Sequence, residues 1–365
     1  QPSGDATQPM SKEDVEFLEK VMKEGIIDEG ERMKSILSDL TDGLGIMLGT
    51  NKQEEKLKEL EEDEMLELLQ ELRDIVEQID YARAFMAMGG IPFLLGCATY
   101  ESDDANKSIP KSIRKGALGV LSTMCQNNPP VQLNLLEHGH MPQLIQLFFD
   151  YAPGNDYGND VDDSIREKAV QALSASIRGH AIAEEIFRKN PQGKVMLQLC
   201  LGMQQPPKPS AQLRKRSLFL LRALLTSDNA SVERHEQFRD VISFICTHEI
   251  NKEFEEDAEL REMSLAMLSQ LLRHKPPPRS EESSSGCEHA SKIILEHKSS
   301  IVSVGIRAIQ AIRDLKEGGE EREYASLELE EWENLMVTLS EAEEEEGRKS
   351  NGVDPPLAIC DIHVS

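Results

Sequence analysis

Four segments of the sequence share one pattern of residues, and successive copies are about 50 residues apart. The copies are SIRKGALGVLSTMCQNN (112–128), SIREKAVQALSASIRGH (164–180), QLRKRSLFLLRALLTSD (212–228) and ELREMSLAMLSQLLRHK (259–275). One column of this alignment is always arginine: Arg114, Arg166, Arg214 and Arg261. The chain is therefore expected to be an array of repeated units rather than a fold around a single core.

The remaining aligned columns hold small or apolar residues at intervals of three and four. They are Ala117, Ala169, Ser217 and Ser264; Leu118, Val170, Leu218 and Leu265; Leu121, Leu173, Leu221 and Leu268; and Cys125, Ile177, Leu225 and Leu272. Intervals of three and four are the period of an α-helix, so each copy predicts a helix with one apolar stripe. The small column indicates where a neighbouring helix packs closely.

Helical repeats of this length are typical of α-solenoids of the armadillo or HEAT kind. The composition agrees, since 39% of the 365 residues are hydrophobic but only 4% are aromatic, which suits helix-on-helix packing better than a β-sandwich. We therefore predict an all-α protein: an armadillo-like α-solenoid, a right-handed superhelix of helical repeats.

The segments outside the repeats divide the chain further. A helix over about 12–24, with Ser11 as its N-cap, and another over about 29–40 are predicted, and the glycines of 41–52 indicate a break after them. Helical period resumes over 54–79. The Asp-, Gly- and Pro-containing stretch 150–163 and the Pro- and Ser-rich stretch 276–286 are predicted loops.

Two closing helices follow the last repeat, and the second places Leu329, Trp332, Met336 and Leu339 on one face as a cap. The predicted organisation has four parts: an amino-terminal segment with one or two helices (1–53), armadillo-like repeats (54–300), acidic capping helices (301–346) and a disordered tail (347–365).

The charge balance excludes some classes of partner. Acidic residues number 66 against 40 basic ones, a net charge of −26. Such a field repels nucleic-acid phosphates and anionic membranes, so neither is expected to bind. Residues 317–346 hold thirteen Glu and one Arg, which predicts a solvated acidic end.

The cysteines contain no CxxC pair, and Cys97, Cys200 and Cys246 each end an apolar run. This usage indicates buried, reduced thiols and a cytoplasmic setting. The endoplasmic reticulum lumen is the alternative if an upstream signal was removed, and the sequons at Asn106 and Asn229 would accept glycans there.

The sequence offers no catalytic or metal-binding set. Phosphate-loop, GxSxG and HExxH motifs are absent. Ser112 begins an SxxK match but is interpreted as a helix N-cap, like Ser164 with its capping-box partner Glu167. The pairs His138/His140 and Cys246/His248 have no partner pair at zinc spacing, and residues 156–163 lack the Gly and Glu of a calcium loop. We predict no enzyme activity and no cofactor.

Two polar triplets end the repeated helices of consecutive units: Gln126, Asn127 and Asn128 in one, and Arg178, Gly179 and His180 in the next. Helix C-capping is one interpretation, and a partner-binding edge of the solenoid is the other. The arginine column is interpreted as structural, through ion pairs between repeats or stacking on neighbouring helices.

Three stretches resemble one family: IVEQIDYARAFMAMGG, GALGVLSTMCQNNPPVQ and REKAVQALSASIRGHAIAEEIF. They are similar to the armadillo-type nucleotide exchange factors of the seventy-kilodalton heat-shock chaperones, over roughly residues 55–250. PMSKEDVEFLEKVM resembles the amino-terminal helix of the cytosolic members.

The resemblance implies a co-chaperone that grips the chaperone's nucleotide-binding domain with its concave face and promotes ADP release. The matching positions implied to touch the chaperone are Asp80 and Ala82 (a D-x-A element), Gln126, Asn127 and Asn128 (a QNN element), and Arg178 and His180 (an RxH element).

Two other functions compete with this interpretation. An armadillo carrier of basic peptides, similar to a nuclear-import adaptor, fits the acidity of the chain. Such carriers present ladders of Trp and Asn, however, and the one tryptophan here, Trp332, lies outside the repeats. An enzyme on a helical scaffold lacks a catalytic set. We expect a cytoplasmic monomer.

Overall fold

The computed structural model describes residues 28–50, 60–101, 107–153, 161–203, 208–273 and 281–350. All regular secondary structure in these ranges is helical, which confirms the predicted all-α class. The predicted helix over 12–24 and the middle of the predicted loop 150–163, residues 154–160, lie outside the described residues. Contacts divide the chain into two compact units, Gln1–Val131 and Gln132–Ser365. The four predicted segments follow a different criterion and stay a prediction.

The described part of the first unit contains five complete helices. They are α1 (Glu29–Met47), α2 (Glu62–Ile75), α3 (Ile79–Ala87), α4 (Gly90–Thr99) and α5 (Lys111–Cys125). The long helix α5 packs against both α2 and α4, and α1 packs against α2. The core between them is formed by buried Leu, Ile, Met and Phe side chains such as Phe85 and Leu118.

The division between the units falls within α6 (Pro129–Glu137), and the second unit continues from there. Its helices are α7 (His140–Asp150), α8 (Asp163–Ile177), α9 (Ala181–Lys189), α10 (Pro191–Cys200), α11 (Ala211–Leu225), α12 (Val232–Gln237), α13 (Arg239–Phe244), α14 (Ala258–Arg273), α15 (Glu281–Glu296), α16 (Lys298–Arg313), α17 (Glu320–Tyr324) and α18 (Ser326–Ser350). A π-helical turn, Ile245–Glu249, extends α13. The long helices lie side by side in the order α8, α11, α14 and α18.

Each repeat consists of two shorter helices followed by a long one: α3–α4–α5, α6–α7–α8, α9–α10–α11 and α12–α13–α14. Three helices per repeat is the armadillo arrangement. The long helix carries the shared sequence pattern, and all four members of the small column are fully buried, as predicted: Ala117, Ala169, Ser217 and Ser264. A larger side chain there would separate neighbouring helices.

The arginine column is structural, as predicted. Arg114 donates to the backbone carbonyls of Ile109 and Ala98. Arg166 pairs with Asp163 at 2.7 Å and stacks over the Phe148 ring. Arg214 pairs with Glu255, and Arg261 with Glu328. The four side chains are buried, so each guanidinium depends on these partners in place of water.

The predicted N-caps are wrong. Helix α5 begins at Lys111 after Pro110, and the Ser112 hydroxyl donates to Glu62 instead. Helix α8 is capped by Asp162, whose side chain accepts from the backbone N–H of Ser164. Pro110 and Asp162 each lie two residues upstream of the serine at the N-cap position, and the Asp162 carboxylate satisfies the first backbone N–H groups of its helix.

Several predicted boundaries also differ. Helix α1 continues through Gly43 to Met47. Gly43 lets the Leu60 side chain pack closely against this helix, and the break in the helix comes only at Gly49, whose φ is +65°. The period over 54–79 is interrupted between Ile75 and Ile79. The closing helix α18 reaches Ser350, into the segment predicted as a tail. Trp332 and Leu339 of the predicted cap are buried, together with Leu335, whereas Leu329 and Met336 are half-buried.

The predicted loop 276–286 is wrong for its second half, where α15 already begins at Glu281. Gly286 explains the close packing of this segment, because a Cβ there would lie 2.2 Å from the carbonyl oxygen of Ala230. The composition suggested a loop, but a glycine that permits close backbone approach is used here inside a helix.

Gly286→Ala is expected to lower the free energy of unfolding by about 1–3 kcal/mol, since the new methyl group meets a backbone atom that cannot rotate away. The matched control is Gly347→Ala in α18, where a Cβ has nothing within 4 Å. Urea unfolding followed by circular dichroism compares the two. Equal midpoints for the two variants would contradict the close approach.

Candidate functional site

In the first unit, the QNN element forms the corner after α5. Gln126 is the C-cap of that helix, and Asn127 follows with φ +51°, the left-handed conformation that asparagine tolerates better than most residues. Both side chains are exposed. No side-chain hydrogen bond joins Gln126 to another described residue, so its amide is available to a partner.

The third residue of the element has a structural role. Asn128 is 1% exposed, accepts from Arg83 Nε at 3.3 Å and donates to the Ile79 carbonyl at 3.5 Å. These bonds tie the corner to the first turn of α3. Asn128 therefore positions the corner and is not exposed to a partner.

The D-x-A element divides in the same way. The Asp80 side chain is 95% exposed and lies 3.8 Å from Arg83, a loose ion pair in water. Ala82 is 1% exposed and packs inside the unit. Its small size serves the packing of α3, and this burial does not favour the direct contact with the chaperone that the resemblance implies for Ala82.

In the second unit, the RxH element forms the equivalent corner after α8. Arg178 is the C-cap, and Gly179 has φ +73° at the repeat position that Asn127 occupies in the first unit. His180 is the N-cap of α9, and its Nδ1 accepts from the backbone N–H of Ala183 at 3.3 Å. Residues at these corners therefore cap helices and are also at least partly exposed to solvent, because a helix cap lies at the end of its helix.

Arg178 has a further contact that the sequence did not indicate. Its guanidinium lies 4.5 Å from the centroid of the Phe219 ring on α11, and Phe219 is 43% exposed. The Nε of Arg178 donates to the Ser174 carbonyl at 3.3 Å, and no described carboxylate pairs with it. Partial burial lowers the pKa of the Arg178 guanidinium, which nevertheless stays charged at neutral pH.

Phe219 was missed in the sequence because it lies on the solvent side of the repeat pattern. The equivalent positions in the other long helices are Gly119, Gln171 and Ala266. An aromatic residue in a column of small or polar residues was the available signal. Further exposed apolar side chains of the second unit include Leu133, Ile182, Ile186 and Val195.

Of the residues considered for chemistry, the cysteines are buried, whereas the His138 and His140 rings stack at 5.9 Å and are at least partly exposed. Cys97, Cys125, Cys200 and Cys246 are buried free thiols, as predicted for three of them. Burial raises the pKa of the Cys97, Cys200 and Cys246 thiols to about 12, so the nucleophilic thiolate is suppressed. His248 is exposed, stacks on Phe244 and contacts the tilted Phe254 ring, whereas Cys246 is buried.

Among the described residues, no cluster of three or more His, Cys, Asp or Glu side chains could hold a metal ion. Within the same ranges no single helix combines the length and apolarity of a membrane span, although the pair α3 and α4, bent by 80°, meets both criteria when taken together.

Comparison with known proteins leaves the family open. No protein-family model matches the chain, and no curated protein matches it. One similar solved structure is an engineered protein with 13% identity and a TM-score of 0.42, covering 82% of this chain and 97% of its own. Another is a designed armadillo repeat protein in complex with the peptide (KR)4, with 16% identity and a TM-score of 0.41, covering 81% of this chain and 99% of its own. The bound peptide belongs to that complex of the designed protein.

Proposed function

We propose that this protein is a non-catalytic binding scaffold whose second unit engages a protein partner through Arg178 and Phe219. The contact between the two side chains supports this proposal. An arginine stacked on a half-exposed Phe ring, with no carboxylate among the described residues to neutralise it, combines two residue types that are enriched at protein interfaces. The stack also fixes the guanidinium before binding, which reduces the entropy lost when a partner docks.

The partner we propose is the nucleotide-binding domain of a seventy-kilodalton heat-shock chaperone, and the outcome of binding is ADP release. The sequence resemblance over residues 55–250 supports this choice. A scaffold that binds the open form of that domain more tightly than the closed, nucleotide-filled form shifts the chaperone toward opening. Each 1.4 kcal/mol or so of preference changes that equilibrium about tenfold.

The coupling is reciprocal. Bound nucleotide weakens the grip of the scaffold by the same factor by which the scaffold weakens nucleotide binding. The protein then needs no catalytic residue of its own, and buried thiols with raised pKa values agree with that role. The free, buried cysteines also support the cytoplasm as the proposed compartment.

The exposed members of the predicted set are retained as proposed contacts, each within its own unit. They are Asp80, Gln126 and Asn127 in the first unit and Arg178 and His180 in the second. Ala82 and Asn128 are assigned a supporting role, because both are buried.

The first experiment is stopped-flow release of a fluorescent ADP analogue from a cytosolic seventy-kilodalton chaperone. Addition of this protein is expected to accelerate release, with a rate that saturates as its concentration rises. A control without chaperone excludes direct binding of the analogue. An unchanged rate with folded, nucleotide-loaded chaperone would reject the exchange function and leave a scaffold for another partner.

A further inference from the structure

A polar groove of the second unit is separate from the Arg178 corner. It lies between the long helices α11 and α14 and the closing helix α18, and it has a volume of about 490 Å³. Its polar lining consists of Arg222, Ser269, Gln270, Arg273, Glu331 and Asn334. The volume has room for a few side chains of a bound segment.

Arg222 of this groove is half-buried and Arg273 is exposed, and their partners differ from those of the buried arginines of the unit. Arg166, Arg214, Arg234 and Arg261 all pair with carboxylates. Arg222 instead donates through Nε to Gln270 Oε1 at 2.5 Å, and Arg273 donates to Asn334 Oδ1. Among the described residues no carboxylate pairs with either guanidinium, although the chain has 66 acidic side chains.

The position of these arginines near the carboxyl ends of their helices has a simpler explanation, which is a favourable interaction with the helix dipole. That interaction contributes about 0.3–1 kcal/mol and accounts for a cation in the last turn. It does not account for two cations that share one groove and are each held by an amide.

The amides make the groove rich in donors. Because the Gln270 and Asn334 oxygens accept from the arginines, their NH2 groups are left to donate, alongside the remaining guanidinium N–H groups. At the floor, Ser269 is 3% exposed and its hydroxyl has no hydrogen-bond partner, unlike that of Ser217, which bonds to the Leu213 carbonyl. Buried polar groups are normally satisfied, so the floor is incomplete as it stands.

Glu331 is the one acidic side chain of the lining, and its Oε2 also has no hydrogen-bond partner. It is an acceptor among donors. A ligand that supplies several acceptors and a single donor would match this set, as an extended peptide does when its side chains are acidic and a backbone N–H faces Glu331.

We propose that the groove between α11, α14 and α18 binds an extended peptide segment bearing at least two carboxylates, one facing Arg222 and the other Arg273. The guanidinium fork matches a carboxylate through two parallel hydrogen bonds. The Gln270 and Asn334 NH2 groups donate to the peptide carbonyls. Such a groove disfavours basic peptides, so it also counts against the carrier of basic peptides considered above.

The probe is a fluorescein-labelled, end-capped peptide of alternating Glu and Ala, compared by fluorescence anisotropy with its Gln and Lys counterparts. The net charge of −26 repels the Glu peptide in general, so any preference for it must come from a local site. The Glu peptide is expected to bind about tenfold or more tightly than the Gln peptide, with an affinity that falls as salt is added. Equal binding of these two peptides would overturn the proposal.

The double variant Arg222→Gln/Arg273→Gln is expected to weaken Glu-peptide binding about tenfold or more, and each single variant is expected to weaken it by a smaller factor. Arg307→Gln is the matched control, because it removes the same charge from an exposed position of α16, and a change below about twofold is expected. Circular dichroism shows whether the double variant is folded. If it is not, the loss of Glu-peptide binding is judged from the two single variants. Unchanged binding by the variants would place the peptide elsewhere. The proposal does not depend on the chaperone, so a negative exchange assay leaves this test standing.

Discussion

Glu328→Gln is expected to lower the free energy of unfolding of the second unit by about 3–5 kcal/mol, the usual result of breaking a buried ion pair from one side. Glu328 accepts from Arg261 Nε at 2.7 Å and from its terminal nitrogen at 2.5 Å. Both residues are about 95% buried, at 4% and 5% exposure. The neutral amide leaves the Arg261 guanidinium without its counter-charge in a site that water does not reach.

The pair joins the last repeat to the closing helix, so its loss should also loosen α18 over α14. Glu330→Gln is the matched control, since Glu330 is exposed two residues along the same helix and its loss should change stability by less than about 0.5 kcal/mol. Urea unfolding followed by circular dichroism measures both. The double variant Arg261→Met/Glu328→Met should be more stable than Glu328→Gln, because it removes both charges together. If Glu328→Gln unfolds at the same urea concentration as Glu330→Gln, the pair does not hold the cap.

The repeat columns could be predicted because they depend on a short-range rule. Apolar residues that recur at intervals of three and four in all four copies are expected to face a neighbouring helix. Ala117 and Leu121 are buried accordingly. The burial of the arginine column was harder to foresee, but a cation repeated at one helical position indicated a shared structural use. Its partners, such as Glu255 and Glu328, lie far along the sequence, and spacing alone could not identify them.

Helix boundaries were predicted less well because competing local signals decide them. Ser112 and Ser164 both resemble N-caps, but Pro110 and Asp162 start the helices earlier. The Ser-rich start of α15 has the composition of a loop, but Gly286 allows a close contact with Ala230 that exists only in the folded unit. Glycine and serine give weak local preferences, and tertiary packing overrides them.

The candidate site was predictable only in part. The sequence identified the corners, where Gln126 and Arg178 are both exposed at least in part, but it could not separate Asn127 from buried Asn128. The burial of Ala82 was not foreseen, since a small residue permits close approach inside a unit as readily as at an interface. The groove was not foreseen, because Arg222 and Arg273 occupy different columns of the repeat and meet only when α11, α14 and α18 are packed together.

Arg178→Ala is expected to weaken chaperone binding about 30-fold or more, the effect of losing an interface hot spot of about 2 kcal/mol, and to reduce the acceleration of ADP release accordingly. Phe219→Ala should have a similar direction of effect, because the ring holds the guanidinium in place at 4.5 Å. Arg178→Lys keeps the charge but loses the planar stack, so it should restore only part of the binding. Titration of the chaperone-dependent release rate gives the apparent affinity of each variant.

The control for charge is Arg307→Ala, which removes an exposed arginine of the same unit and should leave exchange unchanged within about twofold. Thermal melts separate binding from folding, which is needed because Arg178 is half-buried and bonds to the Ser174 carbonyl of α8 through both its backbone N–H and its Nε. A folded Arg178→Ala protein with full exchange activity would show that the stack on Phe219 is a packing contact. The opposite result is a folded Arg178→Ala protein that binds weakly and an Arg178→Lys protein that binds with intermediate affinity. That result requires direct contact between the partner and the guanidinium, because a purely structural arginine would change stability and not affinity alone.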